Sequence, residues 1–290
     1  MKPPPFAYTR AESVDEAVSL LTEAGDDAKV LAGGQSLVPL LNFRLARPSV
    51  LVDVNPLLEL DYLRVGANGA GLAVGALCRH AALERSTKLV GPWQAVAEAV
   101  PLIGHYPIRA RGTVGGSIAH ADPSAELPLL SLAFDAELEV LGPQGRRTIP
   151  AADLFRGPFS TTLAPDELLI EVRFPAPPAG ARTVFEEFSE RAGDFALASV
   201  CAGVVVENGR CAWARIALGG VGPTPLRATA AEQVLVDSAL DEDAVTEAAE
   251  LAAGACDPRG DFHGSSEFRK ELVKELTTRA LARIGGGTRP

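Results

Sequence analysis

Clustered cysteine is missing from this sequence. Its four thiols, Cys78, Cys201, Cys211 and Cys256, are scattered through 290 residues with no CxxC pair. Iron–sulfur clusters and structural zinc sites draw on closely grouped thiolates, so the chain is expected to carry no metal of its own. Unpaired, scattered cysteines also suit a reducing compartment. Positive charge is short as well: 27 Lys and Arg stand against 37 Asp and Glu, a net charge of −10. Nucleic acid and anionic membrane surfaces reward clustered Lys and Arg, so neither is an expected partner. No uninterrupted apolar run reaches the roughly 18 residues that a membrane helix requires. The first residues, Met1-Lys2-Pro3-Pro4-Pro5-Phe6, carry a charge but no apolar stretch behind it, so no secretory signal is expected. The expected location is the cytoplasm. His80, His105 and His120 fit no metal-ligand spacing, and no Ser–His–Asp arrangement or acid–base pair stands out. No catalytic residue is therefore assigned.

What is present is enough apolar residue, 47% of the chain, for two domains. Residues 13–24 predict a helix: Ser13 is a candidate N-cap, Glu16 completes a capping box, and Gly25 stops the turn. A short apolar strand at 29–32 runs into Gly33-Gly34-Gln35-Ser36 and then an apolar segment, 37–45. Strand, double glycine, serine, helix is an arrangement in which successive backbone N–H groups can cradle an anion. A tight turn with a plain N-cap fits the same residues. Neither the GxGxxG nor the GxxxxGK[ST] pattern is present. Strands are expected at 50–54 and 72–76 with a hairpin loop at 66–71 before the second, and helices at 81–89 and 92–99. Trp93 and Trp213 are expected in the core.

A second glycine pair lies in residues 113–128, Thr-Val-Gly-Gly-Ser-Ile-Ala-His-Ala-Asp-Pro-Ser-Ala-Glu-Leu-Pro. It reads as a loop: Gly115-Gly116 leaves the backbone open to close approach, and Ser117, His120, Asp122 and Glu126 supply polar groups for a phosphate and a sugar. Asp122 before Pro123 suits a turn. Strands follow at 137–141, 147–149 and 167–174, with a loop around 153–158. Pro175-Ala176-Pro177-Pro178-Ala179-Gly180 reads as a linker. Beyond it come strands at 182–188, 196–207 and 211–218, the last two joined by an Asn208-Gly209 hairpin turn. Helices are expected at 229–235, 241–253 and 266–284. The last should bury Phe268, Leu272, Leu276 and Ala280, with Arg269, Lys270, Lys274 and Arg279 towards water. Strands followed by helices make the fold class α+β.

Ala32 to Leu37 and Thr113 to Pro128, taken with Arg191-Ala192-Gly193-Asp194-Phe195-Ala196 and Ser266-Glu267-Phe268-Arg269, resemble the FAD-binding medium subunit of the molybdenum hydroxylases. That family includes the carbon monoxide dehydrogenase medium subunit and the xanthine dehydrogenase flavin domain. The four motifs fall in order across nearly the whole chain. The resemblance implies a two-subdomain FAD-binding domain of the PCMH type over 1–176, with subdomains of roughly 1–55 and 56–176. A small antiparallel sheet with packed helices would follow over 177–284, then a disordered tail at 285–290. It implies FAD as cofactor, with Ala32, Gly33, Gly34, Gln35 and Ser36 holding the pyrophosphate and Leu37 beside it. Thr113, Gly115, Gly116 and Ser117 would complete the diphosphate and ribityl contacts through backbone N–H and hydroxyl donors. Ile103 matches an apolar position near the adenine or flavin, and Glu126 an acidic residue on the adenosine ribose. Ile170, or its neighbour Leu169, matches a residue packing on the ring system, and Asp194 and Phe195 fall in the loop against the isoalloxazine.

Many relatives carry a lysine upstream of that loop. Phe185-Glu186-Glu187-Phe188 has none, so the tuning of the flavin departs from the family pattern here. The family's molybdopterin lies in a large subunit and its two [2Fe–2S] clusters in a small subunit. Electrons cross the clusters to FAD and leave to NAD, a quinone or oxygen. The rival reading is a self-sufficient FAD-dependent oxidoreductase acting directly on a small molecule without molybdenum partners.

Overall fold

The computed structural model describes residues 2–66 and 71–285. Most of the hairpin loop expected at 66–71, and the tail from 286 onward, lie outside the described residues. Three sheets carry the fold. The first is parallel, with strands β1 (Ala7–Arg10), β2 (Ala28–Leu31) and β3 (Val50–Asp53) in the order β1-β3-β2. Helices α1 (Val14–Ala24) and α2 (Leu37–Asn42) make the crossovers. Ser13 caps α1 by accepting from the Glu16 N–H at 3.1 Å, while the Glu16 carboxylate accepts from the Glu12 N–H at 2.7 Å. Strand β1 has no counterpart in the sequence reading. It is short and half exposed, so no alternating apolar pattern announces it.

The second sheet is antiparallel, in the order β4-β5-β10-β6-β7. Strands β4 (Leu63–Val65) and β5 (Leu72–Gly75) are followed by five helices. These are α3 (His80–Glu84), α4 (Gln94–Ala99), α5 (Tyr106–Arg111), α6 (Val114–His120) and α7 (Glu126–Ala133). Then come β6 (Glu137–Gly142), β7 (Gly145–Pro150), α8 (Ala151–Leu154), the short pair β8 (Phe155–Gly157) and β9 (Ser160–Thr161), and β10 (Leu168–Phe174). The helix expected at 81–89 is shorter than expected, and the loop expected around 153–158 holds α8 and β8. Helix α7 is buried on every side, as a helix apolar on all faces requires, and it takes Glu126 and Ser131 inside with it.

The third sheet, β11 (Arg182–Phe188), β12 (Ala198–Glu207), β13 (Arg210–Gly219) and β14 (Leu226–Arg227), is antiparallel in chain order. Asn208 and Gly209 both take positive φ, +51° and +78°, as a type I′ hairpin turn demands. One face of this sheet packs on α9 (Thr229–Leu235), α10 (Glu242–Gly254) and α11 (Ser266–Gly285). Its other face, through Phe185, Cys201 and Ala217, joins the core that Trp93, Leu129 and Leu138 build in the second sheet's layer. Trp213, by contrast, is only half-buried, with Arg215 over its ring.

Helix α11 buries Leu276 and Ala280 as expected, but its buried face takes in Arg269, Val273, Thr277, Leu281 and Ile284 in place of Phe268 and Leu272. Phe268 stays 43% exposed. Arg269 is inside because its guanidinium donates to the Leu197 carbonyl at 2.8 Å and to the Asp261 carboxylate at 3.0 Å. An arginine bonded through both terminal nitrogens, its buried Nε left without a partner among the described residues, occupies a core position that periodicity reserves for an apolar residue. Gly285 ends the helix instead of beginning a tail.

Among the described residues, the outer edge of β11 has no strand beside it. Helix α4 covers it: the Phe185 N–H donates to the Glu98 carboxylate at 2.9 Å, and the Thr183 hydroxyl accepts from the Ala95 N–H at 3.1 Å. Arg283 of α11 bridges Glu98 and Glu186 at 2.5 and 2.6 Å.

Candidate functional site

The two glycine segments touch. A Cβ on Gly33 would stand 2.5 Å from the Arg111 carbonyl oxygen and 2.8 Å from the Gly112 Cα. Only glycine fits there. Beyond it Gly34 takes φ +73°, and the chain turns from β2 into α2. The turn opens on a cavity of about 550 Å³, whose walls include Gly33, Gly34, Gln35, Asn55 and Arg111. Among the described residues, the backbone N–H groups of Gly33, Gly34, Gln35 and Ser36 find no protein acceptor. Ser36 stands at the helix N-cap but its hydroxyl makes no capping bond. Ala32 and Leu37 flank the turn, both half-buried. Unspent amides in sequence, opening on one cavity, form a nest for an anion.

The second segment differs from the loop expected of it. Gly115 and Gly116 lie inside helix α6, and Thr113 is its N-cap, accepting from the Gly116 N–H at 3.2 Å. The other first-turn amides are spent as well. Val114 donates to the Cys78 carbonyl at 3.0 Å, Gly115 to Ala76 at 2.8 Å and Ser117 to Thr113 at 3.0 Å. Gly115 is buried against β5, where a Cβ would come within 2.6 Å of the Ala76 Cβ. Its role is packing, and the expectation that Gly115 donates to a ligand is corrected. Gly116 is exposed, with the Ala32 methyl 3.9 Å from where its Cβ would be, and the Ser117 side chain is beside it.

Polar residues that the sequence reading passed over hold the junction. Arg79 donates to the Arg111 carbonyl and, at 2.6 Å, to the Asn55 amide oxygen. Asn55 in turn donates to the Ala32 carbonyl at 2.8 Å and to the Asp53 carboxylate at 2.6 Å. Tyr8 donates to the other Asp53 oxygen. None of these is part of a spacing pattern. The one legible signal was the adjacency of Arg111 to Gly112-Thr113. His80 lies beneath the same junction, and burial pushes its imidazole down to about 4, so it is neutral.

Helix α5 leads from this junction to a second group. With six residues it spans about 9 Å. At its far end Gly104 and His105 meet Gly193, whose φ is +87°; a Cβ there would collide with the His105 ring. Asp194 donates its N–H to the Arg191 carbonyl at 3.0 Å, closing the turn between β11 and β12, and Phe195 is 66% exposed on it. Ile103, by contrast, is buried in the core. Leu169 and Ile170 alternate on β10 and belong to two different cores, so they cannot both face one ligand.

Carboxyls make the third group. Asp122 accepts from the Ser124 N–H at 2.9 Å, the turn expected of it. Glu126, the first residue of α7, is 7% exposed. Burial pushes its carboxyl up to about 7, with the charge of Asp122 adding to the shift. Glu187 of β11 is pushed up to about 8 by burial and by Glu126, and its Oε2 has no hydrogen-bond partner. Among the described residues, no Lys or Arg bonds to any of the three. Such groups accept from or share protons with ligand hydroxyls.

Unspent donors at one end and buried acceptors at another suit a ligand that joins phosphate to sugar, and this chemistry defines a nucleotide-cofactor protein. Residues 4–177 match the family described as the FAD binding domain in molybdopterin dehydrogenase, and residues 183–284 the CO dehydrogenase flavoprotein C-terminal domain. The chain is 43% identical to the 6-hydroxypseudooxynicotine dehydrogenase complex subunit alpha of Paenarthrobacter nicotinovorans, spanning 100% of this chain and 98% of that one. It is 38% identical to the carbon monoxide dehydrogenase medium chain of Hydrogenophaga pseudoflava, over 97% of each. Reconstituted CO dehydrogenase from Oligotropha carboxidovorans contains a chain that superposes with a TM-score of 0.95 at 36% identity, covering 99% of this chain and 100% of that one. The chain belongs to the family of FAD-binding subunits of the molybdenum hydroxylases. FAD is its cofactor, and its class is oxidoreductase.

Proposed function

We propose that this chain is the electron-transfer subunit of a molybdenum hydroxylase, working in the cytoplasm with a molybdopterin-binding large subunit and a [2Fe–2S] small subunit. The observation that carries the reading is the run of four amides, Gly33 to Ser36, left without protein acceptors among the described residues beside a cavity of about 550 Å³. These amides hold the diphosphate, with Ala32 and Leu37 flanking it and Gly116 and Ser117 opposite. Glu126 takes the ribose hydroxyls. Ile103, Asp194 and Phe195, with Leu169 or Ile170, belong to the ring end. FAD, when bound, supplies the one- and two-electron chemistry that links iron–sulfur clusters to NAD, a quinone or oxygen. The chain's own cysteines support an external electron source. All four are free and buried, and among the described residues no three His, Cys, Asp or Glu side chains are grouped so as to hold a metal ion. The same reading keeps 1–176 and 177–284 as the two domains. Buried free thiols are also what a reducing cytoplasm maintains.

The test is to load the purified chain with FAD and follow flavin absorbance as reductants are added. Organic substrates should leave the flavin oxidised in the chain alone, and reduction should require a partner bearing iron–sulfur clusters. Direct reduction by an organic substrate would establish the self-sufficient flavoenzyme instead.

A further inference from the structure

Two arginines stand where the glycine segments join, and among the described residues neither forms an ion pair. Arg111 lines the cavity with Gly33 and Gly34. Arg79 is half-buried, and burial together with the charge of Arg111 lowers its pKa against the opposing carboxylates of Asp61 and Asp53. Its fork spans the junction, one arm on the Arg111 carbonyl and the other on Asn55, which holds the Ala32 carbonyl. Because the peptide unit is planar, fixing the Ala32 carbonyl also fixes the direction of the Gly33 N–H. Arg111 is the cationic residue on a wall that also carries Asp53, whose carboxylate is taken by Tyr8 and Asn55. A diphosphate diester brings two negative charges to that place.

We propose that Arg111 is the counter-ion of the cofactor diphosphate and that Arg79 is the positioning residue that holds the two glycine segments in register around it. This rests on the FAD reading of the same cavity. The two arginines act differently. Arg111 contributes charge at the cavity wall, which a lysine can replace. Arg79 contributes a planar fork on two fixed acceptors, which a lysine cannot.

The experiment titrates the flavin-free full chain with FAD, ADP and riboflavin at low and high salt. Arg111→Gln should weaken both FAD and ADP by about ten- to a hundredfold, the loss expected for one charged hydrogen bond, and flatten the salt dependence. Riboflavin, which lacks the diphosphate, should be unaffected. Arg111→Lys should restore most of the affinity, whereas Arg79→Lys should weaken FAD as much as Arg79→Gln. Arg79→Lys keeps the charge, so it reads the geometry even where Arg79→Gln does not fold. Wild-type affinity and salt dependence in Arg111→Gln would overturn the counter-ion role, and wild-type affinity in Arg79→Lys the positioning role. A wild-type chain that bound ADP through Arg111 but refused FAD would keep the arginine assignment and overturn the FAD reading. A wild-type chain that bound neither would overturn both.

Discussion

Gly33-Gly34-Gln35-Ser36 and Gly115-Gly116-Ser117 look alike as text and differ as structure. In the first, the amides are free, Gly34 adopts a left-handed conformation, and the turn faces a cavity. In the second, the amides are spent within the protein and Gly115 lets a helix lie against β5. The first segment offers donors. The second offers a surface, and its own chemistry comes ten residues on from its glycines, as an acceptor at Glu126. A glycine pair therefore says that backbone comes close to something, and only the fate of the N–H groups says whether that something is ligand or protein.

Substitutions can break this contrast. The largest effect is expected at Gly33→Val, where a side chain would drive into the Arg111–Gly112 backbone. The purified variant should carry no flavin absorbance, and full FAD occupancy would remove the nest from the first segment. Gly115→Ala should instead cost stability, roughly 1–3 kcal/mol for overpacking against Ala76, measured by denaturant unfolding of the flavin-free chain. FAD affinity of the folded fraction should barely change; a large loss there would return Gly115 to the ligand. Smaller still is Thr113→Ala, which removes the α6 cap for about 1 kcal/mol of stability, read in the same unfolding curves.

The last prediction probes the acceptor end. Unfolded glutamates ionise near 4.5, whereas Glu126 and Glu187 in the fold hold their protons to about 7 and 8. Across that window the folded chain binds more protons than the unfolded one, so its stability falls as pH rises. Melting curves of the flavin-free chain should show this decline between pH about 5 and 8. Glu187→Gln should reduce it, melting above wild type at the alkaline end. A pH-independent difference between the two would mean that Glu187 is not titrating in this range.

Much of this fold was legible in the sequence. The α1 cap, the Asn208-Gly209 turn and β10 follow from local rules that tertiary contacts did not override. Helix α6 was hidden because glycine disfavours helix interiors by about 1 kcal/mol; the Thr113 cap and the fit to Ala76 outweigh that. The start of the buried face of α11 was misplaced from Arg269 to Phe268 because a buried arginine, bonded to Leu197 and Asp261, reads as a surface charge. In the site, the first glycine segment was legible as a donor nest. Arg79, Arg111 and Asn55 were not, since isolated polar residues make no pattern until the fold brings them to one junction.

Helix α4, lying along the edge of β11, has one more consequence. An uncovered sheet edge is a template on which other chains add strands. Here Glu98 accepts from the Phe185 N–H on that edge and the Thr183 side chain bonds the Ala95 N–H beside it, and both Glu98 and Ala95 come from the other half of the molecule. A fragment severed in the 175–180 segment would expose the bare edge to its neighbours. The amino-terminal half thus closes an edge that its companion's own strands leave open.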